Sequence, residues 1–235
     1  MAKGVSDNVA MLMRVVERIA PLRDRVVFLG GAVTELLITS PGRRGSRHTK
    51  DVDVVINVVN LGEYSESLRE LLVGLGLRED SREGAPVCRW LLDDLVIDIM
   101  PTRGDILGFS CRWYQLAFDT ARQFSLPDGT MIRLVTPACF LATKLTAFAD
   151  RGRRNPMASH DLEDVIAVID GRAEIVGDVI AAPPDLRAAI AAKFSELLAR
   201  PDAEDVVAAQ LRPDAESQDR LPLVLERIEA LARLA

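Results

Sequence analysis

Asp51 and Asp53 stand two residues apart in the β-branched run Asp51-Val52-Asp53-Val54-Val55-Ile56. In a strand that spacing puts both carboxylates on one face and sends Val52, Val54 and Ile56 to the other. Two adjacent carboxylates repel, and both stay ionised when a cation sits between them. A third acid, Asp98, interrupts the apolar run Leu95-Val96-Ile97-Asp98-Ile99-Met100. A carboxylate there is costly unless it is paired, metal-bound or on a solvated face. If the two strands are neighbours, three hard oxygen donors converge. Such a set suits Mg²⁺, which shares its coordination sphere with substrate phosphates and water. Two ions of that kind can clamp the attacking and leaving oxygens of an in-line phosphoryl displacement. A D-x-D also arises at a solvated edge or turn in an Asp-rich chain. Its position favours chemistry: it opens a strand, follows a basic loop, and precedes a second strand bearing a single Asp.

Gly30 and Gly31 lie between the apolar strand Val26-Val27-Phe28-Leu29 and a helix. Glycine there lets backbone approach a ligand, and the following helix offers free N–H groups to an anion such as a triphosphate. A plain tight turn has the same composition. Lys144 falls inside an apolar helical stripe with Phe140, Leu141, Leu145 and Phe148. Lysine is rarely buried unpaired, so it should reach a carboxylate or a phosphate, or snorkel from the stripe's edge. Asp161 sits in a first helical turn after the N-cap Ser159, where the helix dipole alone favours an acid. It could also orient Lys144 or act as a general base on an attacking hydroxyl. Asp164 is expected to point further toward solvent, and Lys144→Met to spare stability. Two basic loops, Arg43-Arg44 with Arg47 and Lys50, and Arg151-Gly152-Arg153-Arg154, are either solvated faces or phosphate holders. Trp90 and Trp113 read as core or cleft wall.

These residues need a scaffold. A helix is expected over 7–22, a strand over 26–29, and a helix over 32–39. A Pro/Gly-punctuated loop at 40–50 leads to a strand at 51–59 and an amphipathic helix at 63–75. Two hairpins follow, 87–92 with 95–100 around Asp93-Asp94, and 121–126 with 130–135 around Pro127-Asp128-Gly129. After Pro137 the chain reads as helices at about 137–151, 159–170, 184–199 and 217–234. The fold class is α/β (α+β): a small mixed sheet flanked by helices in 1–136, then a helical region in 137–235.

The chain has 235 residues, 49% hydrophobic and 27% charged, as in a soluble globular protein. No apolar run reaches the ~20 residues of a membrane helix. No basic segment followed by an apolar stretch suggests a signal peptide. Cys88, Cys111 and Cys139 are odd in number and form no CxxC, which argues against a disulfide framework or a zinc site. A reducing cytoplasm is the expected location, with no membrane partner. The net charge of −6 argues against an overall basic nucleic-acid coat but leaves room for a local basic groove.

Taken together, Phe28-Leu29-Gly30-Gly31, Asp51-Val52-Asp53 and Ile97-Asp98-Ile99 resemble the nucleotidyltransferase superfamily with the DNA polymerase β-like fold. A narrower resemblance is to the AbiEii-like toxins of bacterial toxin–antitoxin systems, including the MenT type. Their R-x-[ST]-x-D-x-D run matches Arg47 to Asp53. Their later lysine, arginine and R-D-x-x-D match Lys144, Arg151 and His160-Asp161-Leu162-Glu163-Asp164, with His160 in the place of arginine. The resemblance implies a nucleotidyltransferase that moves NMP from an NTP to an acceptor hydroxyl. It implies two Mg²⁺ ions, replaceable by Mn²⁺, on Asp51, Asp53 and Asp98. It implies a triphosphate held by Gly30, Gly31, Arg47, Thr49 and Lys144, with Asp98, Lys144 and Asp161 catalytic. The narrower resemblance adds the tRNA 3′ end as acceptor, inhibition of translation, and a cognate antitoxin as partner. The alternatives are a nucleotidyltransferase acting on a small molecule or a protein hydroxyl, and a non-catalytic binding module with the same fold.

Overall fold

A computed structural model of the chain describes residues 5–40, 47–108, 111–152 and 155–234. By its internal contacts the chain forms two compact units: Met1–Val33 with His48–Thr136, and Thr34–Arg47 with Pro137–Ala235.

The first unit is mixed α/β, built on a seven-stranded mixed sheet. Its strands are β1 (Val26–Leu29), β2 (Asp51–Ile56), β3 (Arg78–Glu79), β4 (Arg89–Leu92), β5 (Leu95–Pro101), β6 (Arg122–Ser125) and β7 (Met131–Leu134). The order across the sheet is β3-β4-β5-β2-β1-β7-β6. β2 runs parallel to β5 and β1 to β7, and the remaining pairs are antiparallel. β2 and β5 are therefore immediate neighbours at the middle of the sheet. Their register sets Asp53 opposite Asp98 and Val52 opposite Ile97. Because side chains alternate along a strand, the acids share one face, while Val52, Val54, Ile97 and Ile99 bury completely on the other.

Helix α1 (Asp7–Arg18) is capped by Ser6, whose hydroxyl accepts the Val9 N–H, and buries Val9, Leu12, Val15 and Val16. It packs against β2 and β5. The segment expected to be one helix at 63–75 begins with π-type winding, Glu63–Leu68, and continues as an α-helix, Arg69–Gly74. Beyond Gly30 the chain turns into a 3-10 helix, Gly31–Leu37, and not an α-helix.

In the second unit the described residues from Pro137 onward form helices and connecting turns. Its main helices are α2 (Pro137–Ala147), α3 (His160–Gly171), α4 (Pro184–Leu198) and α5 (Leu221–Ala232). Two six-residue helices, Ile175–Ile180 and Ala203–Ala208, lie between them and escape the sequence reading. α2 packs on α3 and α4, and α5 on α3 and α4. Arg227 Nη1 donates to the Ile169 and Asp170 carbonyls, satisfying groups that a helix end leaves without intrahelical partners. The Thr39 and Ser40 N–H groups both donate to the Gly171 carbonyl. Gly171 must be glycine, because a Cβ there would overlap Ile38. Among the described residues no helix is long and apolar enough to cross a membrane.

Candidate active site

Asp51, Asp53 and Asp98 lie on one face of the β2–β5 pair, and two neighbouring elements shape their surroundings. The first is Gly30, at the end of β1, with a left-handed φ of +75°. A Cβ there would fall on the Asp53 carboxylate, so glycine is required both by the turn and by the close approach of Asp53. The second is β4. Its hairpin with β5 turns through Asp93-Asp94, with Asp93 at φ 53°, and pairs Leu92 with Leu95. Counting back from that turn, Arg89 is the register partner of Asp98.

Arg89 is the functional residue that the sequence reading missed. Its Nε donates to Asp98 Oδ1 at 2.8 Å and its Nη2 to Asp98 Oδ2 at 2.7 Å, a two-pronged guanidinium–carboxylate contact. The same Nη2 reaches Asp51 Oδ2 at 3.2 Å. The hydrogen bonds to Asp98 raise the Arg89 pKa against the opposing effect of burial, and the Asp98 and Asp51 charges add to the rise. Asp98 itself is buried, 7% exposed, so without a cation its charge would be stranded. The two-residue turn at Asp93-Asp94 was legible in the sequence, and the register counted back from it sets Arg89 opposite Asp98.

Thr49, expected at the nucleotide, donates its hydroxyl to Asp51 Oδ1 at 2.8 Å. Its own N–H donates to Asn8 Oδ1, which ties the start of β2 to α1. Cys88, buried beside the cluster, has its thiol pushed up to about 12 by burial and then by the Asp98 charge. Trp90 and Trp113 are both buried.

A divalent cation can be tested against these donors. In kind they fit, being three oxygen donors with Asp53 seated in a cradle that a Cβ would fill. In placement two of them, Asp51 and Asp98, are held by a guanidinium. Among the described residues no three Asp, Glu, His or Cys side chains are grouped to hold a metal ion. A positive charge is thus accommodated at this face, and Arg89 supplies it.

The second unit holds its own charged cluster. Lys144 on α2 is buried, with Nζ 3.1 Å from Asp161 Oδ1 and 2.7 Å from Asp164 Oδ2. Arg151 donates to both Asp161 oxygens, Nε to Oδ2 at 2.8 Å and Nη2 to Oδ1 at 3.0 Å. Arg47 lies 3.7 Å from Asp164 Oδ2. Burial pushes the Asp161 carboxyl up, but hydrogen bonds from Arg151 and Lys144 and their charges outweigh it, and its pKa sits below the ordinary value. Asp164 corrects an expectation. It is fully buried, 0% exposed, and not turned toward solvent. α3 buries residues around most of its circumference, so a one-face helical wheel misplaces it. Its Oδ2 lies 2.7 Å from Lys144 Nζ and 3.7 Å from Arg47, whose charges balance it.

The structure therefore brings Gly30, Thr49, Asp51, Asp53 and Asp98 together in the first unit, and Arg47, Lys144 and Asp161 together in the second. Gly31 opens the 3-10 helix after the turn. The basic residues Arg43, Arg44, Arg153 and Arg154 lie outside the described residues.

No family model matches the chain. No curated protein matches it in sequence. Among solved structures, the chain is similar to a crystal structure of ANT(2″)-Ia in complex with adenylyl-2″-tobramycin. The TM-score is 0.45 at 15% identity, over 81% of this chain and 99% of that one. A solution structure of the antibiotic-resistance factor ANT(2″)-Ia gives a TM-score of 0.46 at 14% identity, over 81% of this chain and 94% of that one. At this level neither assigns an activity or a residue role to the chain.

Proposed function

We propose that the chain is a metal-dependent nucleotidyltransferase that transfers NMP from an NTP to an acceptor hydroxyl and releases pyrophosphate. One observation carries the reading: Asp51, Asp53 and Asp98 share one face of two adjacent parallel strands, with Asp53 and Asp98 in register and Asp53 set against a glycine whose missing Cβ makes room for it. A structural role does not require three carboxylates there, since like charges on one face cost stability unless a cation or a reaction uses them.

Asp51 and Asp53 would hold both magnesium ions and Asp98 the catalytic one; the ions would supply charge neutralisation at the transferring phosphoryl group. The chain's own residues do the rest. Thr49 fixes the rotamer of Asp51 through its hydroxyl. The acceptor oxygen attacks the α-phosphorus, the bond to pyrophosphate breaks, and the acceptor proton passes to a carboxylate, a role we assign to Asp98. Gly30 and Gly31 present backbone to the triphosphate. Lys144, with Arg47, is proposed to neutralise charge on it, and Asp161 to set the lysine's position.

The toxin-like motif from Arg47 to Asp53 favours the tRNA 3′ end as acceptor, with inhibition of translation as the outcome and a cognate antitoxin as partner. The test is direct. The protein is incubated with Mg²⁺, each labelled NTP and total tRNA, and in parallel with hydroxylated small molecules and candidate proteins. Label on tRNA, lost in Asp53→Asn, is the expected result. Label only on a small molecule or a protein keeps the enzyme and replaces the acceptor. No transfer to any acceptor with any NTP removes the reading.

A further inference from the structure

We infer that Arg89 is the resident cation of the carboxylate face, and that a divalent ion enters by exchange with it: the guanidinium must leave Asp98 and Asp51 before the ion can be held. The inference rests on the proposed metal site and goes beyond it by assigning a positioning residue and a competitor within the chain.

Three features point this way. The guanidinium donates to both oxygens of Asp98 and to one oxygen of Asp51, so it engages two of the three proposed ligands at once. A divalent ion needs those same oxygens as ligands, so it competes with the guanidinium for them. Next, Asp98 is buried in an otherwise apolar strand. When no ion is present something must neutralise it, and the register of the β4–β5 hairpin delivers Arg89 to that point. Finally, the Arg89 side chain is 24% exposed, against 9% for Lys144 in the other charged cluster. An arginine with that access to water can swing out on its long stem without leaving its charge unsolvated.

The experiment is titration calorimetry of Mg²⁺ and of Mn²⁺ into the NTP-free full chain, wild type against Arg89→Met and Arg89→Lys. A charge-assisted hydrogen-bonded pair that must be broken lowers apparent affinity by about tenfold to a hundredfold. Arg89→Met should therefore bind both ions tighter than wild type by about that factor, with Arg89→Lys in between, because lysine keeps the charge but loses the fork. Thermal melting gives a second readout. Arg89→Met should melt lower than wild type in chelator and gain more than wild type on adding Mn²⁺. If Arg89→Met does not fold in chelator, Arg89→Lys carries the comparison. Arg14→Met removes a guanidinium that pairs with Asp94 in the turn of the same hairpin, and it should titrate like wild type. Equal or weaker ion binding in both Arg89 variants overturns exchange and leaves the metal site standing. No ion binding by wild type or any variant overturns both.

Discussion

In the first unit one arginine bridges two of the three carboxylates that share a face; in the second, one lysine and two arginines gather around two carboxylates. The excess charge is opposite. Asp51, Asp53 and Asp98 exceed Arg89 by two negative charges, which suits a cation. Lys144, Arg47 and Arg151 exceed Asp161 and Asp164 by one positive charge, which suits a phosphate. Solvent access differs too. Asp51 and Arg89 keep side-chain exposures of 33% and 24%, so the first cluster can exchange partners with water. Lys144, Asp161 and Asp164 are buried with Arg151 exposed at the rim, so the acids of the second cluster take their countercharge from the chain. One arrangement is built for exchange and the other for holding a fixed geometry, and substitutions should tell them apart.

The largest contrast is in activity. Asp53→Asn should reduce nucleotidyl transfer on the order of a thousandfold, as loss of a group that stabilises transition-state charge does. The melting temperature should stay close to wild type, because asparagine keeps the side-chain shape that fits against Gly30. Steady-state transfer assays beside a thermal melt read both. Transfer within about tenfold of wild type would remove the functional half of the comparison.

The second contrast is in stability. Removing Lys144 leaves the buried Asp164, among the described residues, with the more distant Arg47, and breaking a buried ion pair from one side costs about 3–5 kcal/mol. Lys144→Met should therefore lower stability as well as activity, which reverses what the apolar stripe alone suggests. Lys144→Met with Asp164→Leu should recover much of the loss in a denaturant melt, but not the activity. A single variant as stable as wild type would show that the second cluster is no more demanding than a surface pair.

Much of this arrangement was legible in the sequence, for identifiable reasons. Period-two alternation places Asp51 and Asp53 on one face, and a single acid in an apolar strand marks Asp98. A lysine inside an apolar stripe requires a partner, and Asp161 is there. What escaped depends on register or on three-dimensional packing. Arg89 reaches Asp98 only because a two-residue turn aligns β4 with β5. Asp164 is misjudged because α3 is surrounded, and amphipathic reading assumes one buried face. Ile175–Ile180 and Ala203–Ala208 are too short to show a helical period, and neither has a side-chain cap. The π winding at Glu63–Leu68 has no composition signature that would have separated it from an α-helix.

A third test concerns the cradle. Gly30→Ala combines a positive φ, which alanine tolerates poorly, with a Cβ that overlaps the Asp53 carboxylate. The expected cost is about 1–3 kcal/mol, and relief requires Asp53 to move. Gly171→Ala is its counterpart in the second unit, overlapping an apolar side chain. Both should melt lower, but only Gly30→Ala should change divalent-ion affinity in calorimetry. Matching ion affinities in the two variants would mean that the cradle serves the turn and not the carboxylate.

The smallest effect is the pH dependence of the second cluster. Asp161 has a folded-state pKa below its ordinary value of about 3.9, because Arg151 and Lys144 together outweigh the cost of burial. The folded chain thus holds the ionised form more strongly than the unfolded chain does. The stability this contributes is fully present above about pH 4, where both states are ionised. It is lost as the pH falls through the folded-state value, where the proton returns and the contacts with Arg151 and Lys144 weaken. Asp161→Asn removes that contribution at every pH. The gap in melting temperature between wild type and Asp161→Asn should therefore be constant from pH 7 to about pH 5 and close as the pH falls further below 4. A gap that stays open to pH 2 would mean that the side chain contributes through shape and neutral hydrogen bonds, and that the second cluster does not depend on the charge of this acid.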